Sequence, residues 1–122
     1  MSTVLIVEDN DKNMKLARDV LQAKGYQTLE AITGEDGVKL ARERKPDLVL
    51  MDIQLPGING IEAFRRIRAD ANTSRIPVVA LTASVTPTDR TAIAAAGFDA
   101  FLSKPINLKE FLDTVKRMVE KK

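Results

Sequence analysis

Short, wholly apolar runs that stop abruptly at a polar residue recur along this chain, and few folds accommodate them. Leu48-Val49-Leu50-Met51 runs straight into Asp52, and Pro56 and Gly57 follow at once. A run that short, apolar on both faces and bounded by turn residues, predicts a strand buried in a parallel sheet. Val4-Leu5-Ile6-Val7 repeats the pattern and ends in Glu8-Asp9. Pro77-Val78-Val79-Ala80-Leu81 ends in Thr82-Ala83-Ser84, and Ala100-Phe101-Leu102 ends in Ser103-Lys104-Pro105. Gln27 to Ile32 is less apolar, as expected nearer a sheet edge.

Helical periodicity fills the intervals. Asn10 or Asp11 caps a helix whose Met14, Ala17, Val20 and Leu21 share one face, and Gly25 ends it. Thr33 starts a second helix through Val38, Leu40 and Ala41, closed by Pro46. Gly60 opens a third through Ile61, Phe64 and Ile67, which frays into the polar run Asp70 to Ser74. Pro87 suits the first turn of an Ala-rich fourth that ends at Gly97. The last carries Leu108, Phe111, Leu112, Val115 and Val119 as its core stripe, with Lys121 and Lys122 complementing the negative end of the helix. No linker or internal repeat interrupts the order.

Strict βα alternation over 122 residues predicts one α/β domain of the flavodoxin-like (βα)5 kind, a five-stranded parallel sheet with helices on both faces. For that fold the expected strand order is 2-1-3-4-5, with a switch point between the first and third strands. Those two strands end in Glu8-Asp9 and in Asp52, so one edge of the sheet gathers Glu8, Asp9, Asp52, Thr82 and Lys104. Each residue alone reads as readily as a cap, a turn former or a surface ion pair. Five at the strand ends of one edge do not.

Three converging carboxylates repel unless a proton or a cation intervenes. Hard oxygen ligands select Mg2+, Mn2+ or Ca2+, and Mg2+ uses one or two carboxylates with a phosphate oxygen. The Thr82 hydroxyl, nearby backbone N–H groups and the Lys104 ammonium suit phosphoryl oxygens. Together they predict phosphoryl transfer to Asp52 as a carboxylate nucleophile.

Composition removes the competing chemistries. The chain has no Cys and no His, which excludes disulfides, thiolate zinc sites, thiol nucleophiles, imidazole triads and most transition-metal sites. With 19 basic against 17 acidic residues the net charge is +2, so no basic nucleic-acid face is expected. No apolar stretch approaches a membrane span and no signal peptide precedes Val4, which predicts a cytoplasmic protein. Gly34-Glu35-Asp36-Gly37 has neither P-loop nor dinucleotide spacing. An Asp-nucleophile phosphatase or phosphotransferase of the haloacid dehalogenase kind is the enzymatic alternative. Such enzymes carry a second Asp two residues on as general acid, where this chain has Gln54.

Four blocks carry a resemblance across nearly the whole chain: Val7-Glu8-Asp9-Asn10, Met51-Asp52-Ile53-Gln54-Leu55-Pro56 with Asn59-Gly60, Leu81-Thr82-Ala83, and Ser103-Lys104-Pro105. In these the sequence resembles the receiver domain of two-component response regulators (the CheY-like superfamily), in particular stand-alone single-domain regulators of the DivK type. Receiver modules of hybrid kinases share the same blocks. The resemblance implies that Asp52 accepts a phosphoryl group from a histidine kinase or histidine phosphotransfer protein, and that the domain is a signalling phosphoacceptor rather than an enzyme. It implies Mg2+ on Asp9, Asp52 and the Gln54 carbonyl, with Glu8 acting largely through water. Thr82 and the Ala83 N–H would hold the phosphoryl group, Lys104 would pair with it, and the Lys104-Pro105 bond is often cis. Phe101 stands at the rotating switch position, where it lacks the hydroxyl of a Tyr. Gln54 and Ser84 stand where they would tune the lifetime of the phosphoryl group. The output face would be the fourth helix, fifth strand and fifth helix, Pro87 to Lys122, meeting a downstream protein with no output domain attached.

Overall fold

The computed structural model describes residues 2–83 and 86–120, so Ser84, Lys121 and Lys122 lie outside the described residues. Five strands alternate with five helices: β1 Thr3–Val7, α1 Asp11–Ala23, β2 Gln27–Ala31, α2 Gly34–Arg44, β3 Leu48–Asp52, α3 Gly60–Ala69, β4 Val78–Thr82, α4 Pro87–Ala96, β5 Ala100–Ser103 and α5 Leu108–Glu120. All pairings are parallel and the order is β2-β1-β3-β4-β5, as the alternation predicts.

Successive side chains of a strand point to opposite faces, and β1 and β3 divide their apolar residues accordingly. Val4, Ile6, Leu48 and Leu50 join Met14, Ala17 and Leu21 of α1 and Phe111, Val115 and Met118 of α5 in one core layer. Leu5, Val7, Val49 and Met51 join Val38 and Ala41 of α2 and Ala63, Phe64 and Ile67 of α3 in the other. All eight strand residues are completely buried, which explains the absence of polar alternation in their runs. β2 lies at the edge and reads accordingly.

Local signals fix the ends. Asn10, Thr33 and Asn59 each cap a helix by accepting from the backbone N–H three residues on. α1 stops before Gly25, whose φ of +90° an L side chain resists.

Two expectations are corrected. Asp70 to Ser74 does not fray: Asp70 Oδ1 accepts from the Asn72 N–H at 2.8 Å, and the fully buried Thr73 donates its hydroxyl to the Ile67 carbonyl at 2.6 Å. The satisfied hydroxyl makes a closed turn of what reads as a polar tail. The stripe of α5 also begins a turn later than predicted. Leu108 is 49% exposed, whereas Phe111, Thr114, Val115 and Met118 face inward. Those four keep the i, i+3, i+4, i+7 spacing, and Leu108 opens the helix before that buried line begins.

At the opposite edge of the sheet from the polar strand ends, Asp99 Oδ2 accepts from the Val78 N–H at 2.8 Å and from Arg68 at 2.5 Å. Arg68 also donates to the Ile76 carbonyl and lies over the Phe64 ring, which stacks on Phe98. Asp99→Ala leaves the Val78 N–H without its partner and is expected to cost about 1–3 kcal/mol in urea denaturation. The reactivity at the other edge should stay unchanged.

Candidate functional site

Because β1 and β3 are neighbours, the residues that end them meet. Glu8 and Asp52 are almost fully buried, at 2% and 4% exposure, while Asp9 is exposed. Carboxylate oxygens of Glu8, Asp9 and Asp52 lie within 4.8 Å of one another. Lys104, carried in by the turn after β5, donates to Glu8 Oε1 at 2.5 Å and to Asp52 Oδ2 at 3.1 Å. The other Asp52 oxygen accepts from the Gln54 N–H at 3.1 Å, and the Asn10 N–H reaches Glu8 Oε2 at 3.3 Å. Thr82 is buried at the end of β4, opposite Ser103 in register, and its carbonyl accepts from the Lys104 N–H at 2.8 Å. Ala83 follows it and is exposed. The Lys104-Pro105 bond is cis, as the resemblance implies.

The electrostatics follow from this crowding. Burial, then the contact with Asp52, pushes the Glu8 carboxyl up to about 7, against the pull of Lys104. Burial works to lower the pKa of Lys104, but its bond to Glu8 and the charges of both carboxylates outweigh it and hold the ammonium firmly protonated. One ammonium therefore faces three carboxyl groups, and the cluster retains an excess of negative charge. Hard oxygen donors with that excess fit a divalent cation of the magnesium class.

Residues 4–116 match the family described as the response regulator receiver domain. The chain belongs to the response regulator receiver family. It is 45% identical over 114 residues to the polar-differentiation response regulator DivK of Brucella anthropi, covering 93% of each chain. Its fold is similar to the receiver domain of a sensor histidine kinase from Pseudomonas aeruginosa, at TM-score 0.91, 34% identity and 98% of both chains. That structure has a magnesium ion coordinated in its active site cleft. A putative response regulator from Chloroflexus aurantiacus is similar at TM-score 0.92, 31% identity and 98% of both chains. Receiver domains are a family of signalling regulators. Among the described residues of this receiver, no helix is long and apolar enough to cross a membrane.

Phe101 of this receiver is 42% exposed, paired with Ala80 in the sheet, and the Arg90 guanidinium sits 5.9 Å from its ring centre. The ring therefore points outward. Two features escaped the sequence reading. One is the direct ion pair between Glu8 and Lys104, which joins residues 96 positions apart. The other is Gly60, whose N–H donates to the Ile53 carbonyl at 2.9 Å. A Cβ there would lie 2.2 Å from the Asp52 carbonyl oxygen. Its constraint is contact with the backbone of another segment, which no local sequence signal marks.

Proposed function

We propose that this receiver takes a phosphoryl group onto Asp52 from the phosphohistidine of a histidine kinase or a histidine phosphotransfer protein, in the cytoplasm. The observation that carries this reading is the placement of Asp52. It is a buried carboxylate with one oxygen held by the Gln54 N–H and the other by Lys104, beside two further carboxyl groups.

Asp9, Asp52 and the Gln54 carbonyl would hold Mg2+, with Glu8 next to them. When bound there, Mg2+ would supply positive charge to offset that of the transferring group. An Asp52 oxygen attacks phosphorus in line, the P–N bond of the donor breaks, and the imidazole leaves with its electron pair. Lys104 pairs with the phosphoryl group, while the Thr82 hydroxyl and the Ala83 N–H also hold it. The chain's own residues thus assist phosphorylation and hydrolysis of the acyl phosphate without turning over a separate substrate. Drawing Thr82 toward the phosphoryl group makes room for Phe101 to leave its outward position. That shifts a two-state equilibrium at the α4–β5–α5 face, where a downstream protein docks.

Incubation with acetyl phosphate and Mg2+ should add a single phosphoryl group by intact mass, and EDTA should prevent it. Amide signals of Thr82 and Phe101 should move in the same sample. No adduct at millimolar donor would sink the proposal, and shifts limited to the acidic residues would sink the switch.

The raised pKa of Glu8 gives the metal site a pH dependence. A carboxyl whose folded pKa exceeds its unfolded value stabilises the fold fully below the unfolded value of 4.5, and that contribution is lost as pH rises through about 7. Cation binding substitutes for the proton. Mg2+ should therefore raise the melting temperature more at pH 8 than at pH 5.5. Its affinity should fall by up to about tenfold per unit below pH 7. Equal Mg2+ affinity at both pH values would contradict this.

A further inference from the structure

Away from the acidic edge, a groove of about 420 Å3 lies between the end of α1 and one flank of α5. It is lined by Lys24, Tyr26, Lys109, Leu112, Asp113 and Lys116. Four of these, 109, 112, 113 and 116, follow the i, i+3, i+4, i+7 spacing and so share one face of α5. Tyr26 and Leu112 are half-buried and pack against the core layer beneath, so their outward sides form an apolar floor. Around that floor stand three lysines and one aspartate.

Some of the chain's cations are committed to ion pairs. Lys15, Arg18, Arg42, Arg66, Arg68 and Lys104 each pair with a carboxylate. Among the described residues, Lys24, Lys109 and Lys116 have no carboxylate within ion-pair distance, although Asp113 lines the same groove. Three lysines without an ion pair, lining a groove with an aromatic and aliphatic floor, combine anion attraction with a surface for a flat ring. The volume falls within the range of small-molecule sites, about 300–1,000 Å3.

We propose that this groove binds a nucleoside diphosphate or triphosphate, the base lying on Tyr26 and Leu112 and the phosphates between Lys24, Lys109 and Lys116. Point-charge ammonium groups on flexible stems suit a phosphate chain, and the tyrosine ring supplies stacking area. The groove shares no residue with the acidic cluster, so the site stands or falls independently of phosphorylation at Asp52.

The test is an amide NMR titration of the full chain in EDTA with adenosine diphosphate, and in parallel with pyrophosphate. Saturable shifts at Tyr26, Leu112 and Lys116 are expected. Adenosine diphosphate should bind about tenfold more tightly than pyrophosphate, the increment of one buried ring contact. Lys109→Gln with Lys116→Gln, both at exposed positions, should weaken binding by at least about tenfold. Asp113→Asn should tighten it. Absence of saturation, equal affinity in the double variant, or equal affinity for pyrophosphate would each overturn the proposal.

Discussion

Asp52→Asn is expected to eliminate phosphoryl incorporation from acetyl phosphate while leaving the fold standing. The amide oxygen can still accept from the Gln54 N–H, and Lys104 keeps its bond to Glu8, so the shape of the site survives. What disappears is the nucleophile. An amide does not attack phosphorus under these conditions, and incorporation should drop by at least about a thousandfold, the scale seen when a nucleophile is removed. Stability should not fall, because the substitution removes one of three mutually repelling carboxylates and one cause of the raised Glu8 pKa. Intact mass after donor incubation and a thermal melt check the two halves. Full labelling of the Asn variant would assign the acceptor elsewhere, and a collapsed melt would show that Asp52 also holds the fold.

Gly60→Ala should be the most damaging single-methyl change in the chain. Its Cβ would lie 2.2 Å from the Asp52 carbonyl oxygen and 2.8 Å from the Ile53 Cα, both backbone atoms that cannot rotate aside. Either α3 retreats or the end of β3 is displaced. Overpacking of a closed contact costs about 1–3 kcal/mol and more where backbone must move. We expect about 3 kcal/mol or more by urea denaturation, with at least a tenfold loss of phosphorylation rate because Asp52 shifts with its strand. Gly97→Ala is the control. At φ +93° with nothing within 4 Å of its Cβ, it should cost about 1–2 kcal/mol through backbone strain alone and leave the rate unchanged. Wild-type phosphorylation in Gly60→Ala would show that Asp52 is positioned independently of α3.

The same contrast explains what could be read from the residues. The strands and their order were legible because full burial on both faces demands uninterrupted apolar runs, as in Val4–Val7 and Leu48–Met51. The convergence of Glu8, Asp9, Asp52, Thr82 and Lys104 followed from that order. The inward face of α5 was misread at Leu108, because periodicity says which residues share a face but not where along the helix the sheet begins. Thr73 looked like part of a solvated tail because its satisfaction depends on a carbonyl six residues earlier. The bond between Glu8 and the Lys104 ammonium was not read from the sequence, because only the fold brings residues so far apart in the chain together. Gly60 reads as a helix start. Its obligation is steric, and sterics between segments carry no sequence pattern.

The pairing of Lys104 with Glu8 and Asp52 spans 96 and 52 residues of chain. During synthesis the two acidic strands leave the ribosome long before the residue that neutralises them. At about 5–20 residues per second, a nascent chain spends seconds with Asp52 made but its ammonium partner not yet synthesised. A contact set this non-local forms late in folding. Asp52 is therefore made well before the ammonium that pairs with it, and a chain that stops short of residue 104 leaves both buried carboxyl groups without that partner.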